Sequence, residues 1–244
     1  MDKEYAQFLL DKGREDYDKI AQYFSETRFH LWSDFKDFGR YFKDGDTVLD
    51  AGCGNGRLSE IFEKIKVHYI GIDSSEKLVA AARVKYPERK FAAADILDLP
   101  FTENEFDVVF LIAVFQHVPS REFRLKALEN LYRVLKPGGY LIMTNWNLWQ
   151  KAFRRLRFKY NLLKILGQSK MDFNDILKPW KSPRAELITE RYLHGFTVPE
   201  IQNLLTKANF NIIKNFYSYR GEKVRRSKSY NIVTIAQKSI DIRP

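Results

Sequence analysis

A chain of 244 residues, 45% hydrophobic and 15% aromatic, can bury one substantial core, alone or with an inserted subdomain, and this composition excludes a disordered chain. Its one cysteine excludes an intrachain disulfide and suits a reducing compartment. The net charge of +10 is unevenly placed: residues 151–184 carry ten Lys/Arg against two Asp/Glu and residues 214–244 eight against two, so a mildly acidic N-terminal part precedes a basic C-terminal half that points to a polyanionic partner, nucleic acid before anionic membrane, unless it is only a solvated face.

The opening Met1 to Tyr5 has early acidic residues and no apolar core, so it does not read as a signal peptide. No apolar run approaches the roughly twenty residues needed to span a bilayer, so no transmembrane segment is expected and a cytoplasmic protein is. Asp2 to Phe24 reads as a helix with a partial apolar stripe (Phe8, Leu9, Tyr17, Ile20, Tyr23, Phe24). Leu31 to Phe42 reads as a second helix that Gly45 ends. Thr47 to Asp50 closes a short buried strand, and Arg57 to Ile65 has helical spacing. Tyr69 to Asp73 is a second strand, Glu76 to Tyr86 a helix stopped by Pro87, and Arg89 to Ala94 a third strand. Phe106 to Ile112 is an apolar run of the kind buried on both faces. Arg121 to Leu135 is a helix, Pro137 to Gly139 a turn, and Tyr140 to Thr144 a fifth strand. Leu148 to Leu166 reads as a basic amphipathic helix, 167–183 as irregular, and Leu187 to Leu193 as a strand. Thr197 to Ala208 is a helix with a capping box at Thr197 and Glu200. Phe210 to Tyr219 and Ser229 to Gln237 are the last strands, joined by a basic loop over Gly221 to Lys228.

The chain is organised around Thr47 to Gly56. A strand ends at Asp50, then Gly52, Gly54 and Gly56 alternate in a turn before a helix. In α/β folds such a crevice at the carboxyl end of a parallel sheet binds ligands. The second strand ends in Asp73, placed to hold the two hydroxyls of a ribose. A dinucleotide site prefers G-x-G-x-x-G with pyrophosphate on the helix N-terminus. Here the pattern is D-x-G-x-G-x-G, and a carboxylate ahead of the glycines repels pyrophosphate but suits a ligand with an amino group and a sulfonium, S-adenosylmethionine rather than NAD.

The runs VLDAGCGNGR, GIDSS, AADILDLP, FDVVFLIAVFQHV and LKPGGYLIM, in this order over Thr47 to Met143, resemble those of the class I S-adenosylmethionine-dependent methyltransferases. The resemblance implies an α/β, Rossmann-like, seven-stranded and mostly parallel sheet of order 3-2-1-4-5-7-6 with helices on both faces, in a single domain. Within it, 1–45 is an N-terminal helical cap across the cofactor mouth, 46–147 the cofactor-binding core, 148–186 a basic helical insertion after strand five, and 187–244 a C-terminal helix and strands. Asp50 would face the methionine amino group, Gly52, Cys53, Gly54 and Gly56 would line the methionine moiety with their backbone, Asp73 with Ser74 would bind the ribose, Asp95 would accept from the adenine amino group, and Ile96 would pack on its ring. Ala113 and His117, after strand four, complete the expected cofactor contacts, and no metal ligand is expected.

Because the methyl group of a sulfonium is already activated, such an enzyme aligns a nucleophile and excludes water. Transfer to C5 of a pyrimidine needs a cysteine nucleophile, and the one cysteine sits in the glycine turn. Amino-directed enzymes carry (N/D)-P-P-(Y/F) after strand four, where this chain reads Ala113 to His117. An oxygen nucleophile remains: a hydroxyl deprotonated by a base, for which His117 is the candidate, or a carboxylate that needs none. The alternative for His117 is a hydrogen-bonding role at a helix start. Arg191, in Arg191 to Phe196 with His194, has the fork that holds a carboxylate in two places, unless it is an ordinary strand arginine.

Three further stretches resemble the tRNA wobble-uridine carboxymethyl methyltransferases: Tyr23 to Arg28 with Trp32 is similar to their H-F-S-x-T-R…W, Ile112 to His117 to their I-A-V-x-H-H, and Arg191 to Phe196 to their R-Y-Y-H-x-F. The departures are Gln116 in place of the first histidine and Leu193 in place of the second tyrosine. The resemblance implies esterification of the carboxylate of 5-carboxymethyluridine in tRNA, with catalytic roles for His117, Arg191 and His194, and a cofactor contact from Arg28. It also implies a basic half that tracks tRNA phosphates, Trp146, Trp149, Trp180 or Tyr192 stacking a splayed base, and a small zinc-binding activator subunit of the kind eukaryotic members use. The alternatives are a methyltransferase acting on a small-molecule carboxylate or hydroxyl, and a non-catalytic RNA-binding protein that kept the fold.

Overall fold

The computed structural model describes residues 1–27, 38–182 and 186–240. Arg28, Trp32 and most of the expected second helix lie outside them; residues 38–41 form a short 3-10 turn.

The central sheet is built from β1 (Thr47–Ala51), β2 (His68–Asp73), β3 (Lys90–Ala93), β4 (Phe106–Ile112), β5 (Leu135–Trp146), β8 (Phe210–Tyr219), β9 (Glu222–Lys223) and β10 (Asn231–Lys238), in the order β3-β2-β1-β4-β5-β10-β8-β9. Pairings among β1 to β5 are parallel, and β10 inserts antiparallel between β5 and β8. The expected order 3-2-1-4-5-7-6 is thus present, with β10 and β8 as its seventh and sixth strands. The sheet has eight strands rather than seven because β9, inside the basic loop, folds back on β8 through Ser218–Lys223 and Tyr219–Glu222.

Strand β4 shows why the sheet sits at the centre. Its alternate side chains go to opposite sides: Val109 and Leu111 join one core with Phe123, Leu128, Leu131, Ile201 and Leu204, while Val108 and Phe110 join another with Phe42, Phe62, Tyr69 and Phe91. A period of two in a run with no polar face buries both sides. The first core contains α3 (Arg121–Val134) and α5 (Val198–Lys207), and the second meets α2 (Glu76–Lys85).

Several local expectations are corrected. Arg57–Phe62 is a 3-10 helix, not an α-helix reaching Ile65. The Pro137 turn is a looped-out stretch inside β5: Phe106 pairs Leu135 and Val108 pairs Tyr140. The basic insertion is not only helical. A 3-10 turn (Lys151–Phe153) precedes the shorter α4 (Arg154–Ile165), and the stretch expected to be irregular contains β6 (Asp175–Lys181), which pairs antiparallel with β7 (Leu187–His194). That hairpin joins residues on both sides of the expected boundary at 186/187. A third apolar cluster ties it, through Tyr160, Ile176, Tyr192 and Leu193, to Leu9 of α1 (Lys3–Thr27). Thr197 caps α5 by accepting from the Glu200 amide, but the capping box is incomplete because the Glu200 side chain turns to His194.

Helix α1 crosses the carboxyl ends of the strands. Its buried residues are Ala6, Leu9, Asp16, Ile20 and Ala21, while Phe8 and Tyr23 of the expected stripe are exposed. Asp18 accepts from Ser75 Oγ at 2.6 Å, and Lys12 Nζ donates to the Glu190 carbonyl at 2.9 Å, so one helix is pinned to both α2 and β7. Among the described residues no helix is long and apolar enough to cross a membrane.

Candidate active site

A cavity lies between α1 and the ends of β1 to β4, and it gathers Asp50, Gly52, Cys53, Gly54, Asp73, Ser74, Asp95, Ile96, Ala113, His117 and Arg191. Two expected residues are elsewhere. Gly56 does not line the cavity; it opens the 3-10 turn at φ 79°, where an added Cβ would lie 2.8 Å from the Phe91 ring. His194 is also off the cavity. Arg28 lies outside the described residues.

The glycine turn is held by its neighbours. Gly52 and Cys53 amides donate to the Ile72 carbonyl at 2.7 and 2.8 Å. Gly52 has φ 85°, and a Cβ there would come 2.2 Å from Val114 Cγ2, so only glycine lets the turn and the β4 loop approach. Ala113, at φ 57°, is a non-glycine residue in the left-handed region at the strand-four end of the cavity, and Thr144 holds it there by accepting from its amide at 2.9 Å. Burial raises the Cys53 thiol pKa, which makes it an inert wall residue.

The carboxylates are set for a cationic, hydroxyl-bearing ligand. Asp73 accepts from the Gly54 and Ser75 amides, each at 2.9 Å; burial raises its pKa and those two donors oppose the rise. Asp95 accepts from the Leu97 amide at 2.9 Å and faces Arg14 of α1 at 3.4 Å. Asp50 is fully buried, accepts from the Tyr69 hydroxyl at 2.7 Å, and has its pKa pushed up to about 7 by burial, with Tyr69 opposing and Asp73 reinforcing. Neither Asp50 nor Asp73 has an ion pair among the described residues, which fits a site whose cation arrives with the ligand. With Asp50 near 7, a ligand ammonium gains its partner only as that carboxyl ionises, so affinity for S-adenosylmethionine should rise about tenfold from pH 6 to pH 8. Calorimetry across that range checks this, and Asp50→Asn should flatten the curve as well as lower it.

Another wall of the cavity carries a chain of hydrogen bonds through His117, Tyr17 and Arg191. The Tyr192 carbonyl accepts only, so His117 Nδ1 carries the hydrogen it donates at 3.0 Å. His117 Nε2 therefore accepts from the Tyr17 hydroxyl at 2.9 Å, and the Tyr17 oxygen accepts from Arg191 Nη1 at 3.1 Å. Burial, with the charges of Arg191 and Lys178, lowers the His117 pKa to about 3. The ring is neutral with both nitrogens engaged, so His117 holds Tyr17 rather than serving as a base. Tyr17 was visible in the sequence only as part of an apolar stripe, and nothing in that spacing distinguishes its hydroxyl role. Gln116 bridges the same wall: its Nε2 donates to the Ala113 carbonyl at 3.1 Å, and its Oε1 accepts from the Trp146 amide at 3.0 Å.

Arg191 is 2% exposed and lies beside aromatic rings, its Cζ 4.4 Å from the centroid of Trp180 and 5.6 Å from those of Trp146 and Tyr17. Its Nη1 is spent on Tyr17, while Nε and Nη2 are buried with no partner among the described residues. Those two nitrogens form one edge of the guanidinium, the edge that matches both oxygens of a carboxylate.

Behind this wall His194 sits between Asp175 Oδ1 at 2.6 Å and Glu200 Oε1 at 2.8 Å. Arg124, 3% exposed, donates to the Tyr192 hydroxyl at 2.9 Å and lies 3.6 Å from Asp175 and 3.9 Å from Glu200. Burial would raise the Glu200 pKa, but His194 and Arg124 outweigh it and the net shift is downward. This cluster joins α3, α5 and the hairpin, so His194 supports the strand that carries Arg191. Arg124→Ala strips a charged partner from fully buried Asp175 and should cost about 3 kcal/mol or more, read as a lower urea midpoint.

A methyltransferase-domain family model matches residues 49–143. The tRNA (carboxymethyluridine(34)-5-O)-methyltransferase of Schizosaccharomyces pombe is 30% identical over 219 residues, 82% of this chain and 89% of that protein. The enzyme of the same description from Arabidopsis thaliana is 38% identical over 130 residues, 53% of this chain; the match spans only 31% of that longer protein. Among solved structures, an S-adenosylmethionine-dependent methyltransferase from Methanosarcina mazei is similar at 25% identity and a TM-score of 0.69, over 84% of this chain and 98% of that one.

Proposed function

Because this chain belongs to the class I S-adenosylmethionine-dependent methyltransferases, in the family that includes the Schizosaccharomyces pombe enzyme, we propose that it esterifies a carboxylate carried by the wobble uridine of tRNA, a 5-carboxymethyluridine-type base. One observation carries the choice of acceptor: the buried Nε and Nη2 edge of Arg191, unpartnered among the described residues, in a residue that lines the same cavity as Asp50 and Asp73. When bound, S-adenosylmethionine supplies a methyl group already activated on a sulfonium.

The residues of the chain then have to hold and align. Asp73 takes the ribose hydroxyls, Asp50 the amino group, and Asp95 with Ile96 the adenine. Arg191 takes both oxygens of the acceptor carboxylate and fixes their direction, with Tyr17 keeping the guanidinium in plane. A carboxylate is ionised at neutral pH, so it needs no base, which agrees with a His117 whose Nε2 is engaged and whose pKa lies near 3. A hydroxyl acceptor would need a base that this wall does not offer. In this reading Trp146 and Trp180, beside Arg191, stack the splayed uracil, and basic side chains from the C-terminal half follow the phosphates. The setting of this activity is the cytoplasm.

Transfer of labelled methyl groups to total tRNA and, in parallel, to a small-molecule extract tests the proposal, with and without a zinc-binding activator of the resembled family. The expected result is label in tRNA, recovered by nucleoside mass spectrometry as a methyl ester of a carboxymethylated uridine. Label confined to small molecules would contradict it.

A further inference from the structure

We infer that Arg157, Arg226 and the indole of Trp149 form a clamp for one phosphodiester of the RNA substrate, next to the methyl-transfer cavity; the inference rests on the tRNA reading above. Three separate segments meet there: Trp149 in the loop after β5, Arg157 on α4, and Arg226 on the 3-10 turn (Arg226–Lys228) between β9 and β10. The Arg157 Cζ lies 3.7 Å and the Arg226 Cζ 4.6 Å from the centroid of the same indole. The indole is itself fixed, since its Nε1 donates to the Phe196 carbonyl at 3.0 Å and its backbone amide to Asn147 Oδ1 at 3.0 Å. The same Asn147 donates through Nδ2 to the Arg226 carbonyl at 2.7 Å, so ring and turn share one anchor.

Two like charges are therefore held against one ring, and neither has a carboxylate within ion-pair distance among the described residues. The Nε and Nη1 of Arg157 are sheltered from water without a partner. Burial and the charge of Arg226 both lower the Arg157 pKa, the expected response of a cation waiting for an anion. Guanidinium N–H groups stacked on an aromatic face match a phosphate through paired donors. Arg226 is exposed, so its side chain can move to admit the ligand. Trp149 lies three residues beyond the cavity residue Trp146, which limits their Cα separation to about 11 Å. The clamp therefore lies within reach of a nucleotide flanking the modified one. A diffuse basic face would place its arginines apart in solvent, as Arg154 and Arg155 are placed.

The test measures binding of a tRNA anticodon stem-loop by fluorescence anisotropy across salt concentrations, with S-adenosylmethionine affinity as the check on folding. Arg157→Gln and Arg226→Gln should each weaken binding about tenfold and reduce the slope of log K against log salt by about 0.7, the value for one single-strand phosphate. The double variant should lose less than the product of the two single effects, because one phosphate serves both. Lys64→Gln, removing equal charge from an exposed position outside both basic segments, should stay within about twofold. If it weakens binding as much as Arg157→Gln, or if both clamp variants bind as the unaltered chain does, the clamp is refuted. If inorganic phosphate or polyglutamate displaces the stem-loop at matched charge concentration, the site does not select a phosphodiester. If the unaltered chain binds no stem-loop while still methylating a small carboxylate, the tRNA reading fails and takes the clamp with it. Arg226→Gln changes an exposed side chain, so it decides the matter even if Arg157→Gln misfolds.

Discussion

Arg191→Met is expected to lower kcat/KM for methyl transfer by roughly a thousandfold, about 4 kcal/mol, while S-adenosylmethionine affinity stays within about threefold. The guanidinium edge at Nε and Nη2 makes no bond in the free chain among the described residues, so its donors are open to an incoming group. Methionine keeps much of the volume beside Trp146, Trp180 and Tyr17 and removes only the charge and the donors. Two buried guanidinium nitrogens without partners destabilise the free protein, so the variant should melt no earlier than the unaltered chain and somewhat later if this cost is recovered. Arg191→Lys keeps the charge without the flat fork and should recover little of the lost rate. A fall in cofactor affinity as large as the fall in turnover would instead place Arg191 in the cofactor pocket.

Asp73→Ala should weaken S-adenosylmethionine binding by about a hundredfold, close to 3 kcal/mol, since two ribose hydroxyls lose a charged acceptor. The carboxylate is already oriented: the Gly54 and Ser75 amides hold one oxygen each, so it is spared the entropy of ordering when the ligand arrives. Removing it also leaves the Gly54 amide without its acceptor beside the glycine turn. Asp73→Asn retains the shape and separates charge from geometry; it should lie between alanine and the unaltered chain in a calorimetric titration. Unchanged affinity in Asp73→Ala would mean that the ribose lies elsewhere.

The cofactor half of the site was legible because its chemistry is local. Asp50, the turn at Gly52 and Gly54, and Asp73 lie at strand ends that periodicity predicts, and a parallel sheet brings strand ends to one edge. The wall that carries Arg191 was legible only in part. Arg191 stood out through its motif, but the aromatic wall around it and the unmatched edge depend on pairing of β6 with β7, and β6 carries Pro179 and Trp180 in a stretch with no clear alternation. Its neighbour His194 shares that motif yet faces the other way, because successive strand residues alternate in direction and Asp175 and Glu200 wait on the far side. Tyr17, 174 residues from Arg191 in sequence, has no local pattern that links the two; only α1 crossing the strand ends does. The eighth strand escaped notice because two residues are too few to show a period.

The proposed acceptor is a carboxylate held by Arg191. Mild alkaline treatment of tRNA methylated with labelled S-adenosylmethionine measures this most directly, because a methyl ester hydrolyses to methanol while methyl groups on ring nitrogen, carbon or ribose oxygen survive. The label should become volatile in the product of the unaltered chain, and Arg191→Met should form almost none of that labile product. Label that resists alkali, or labile label formed equally well by Arg191→Met, would contradict it.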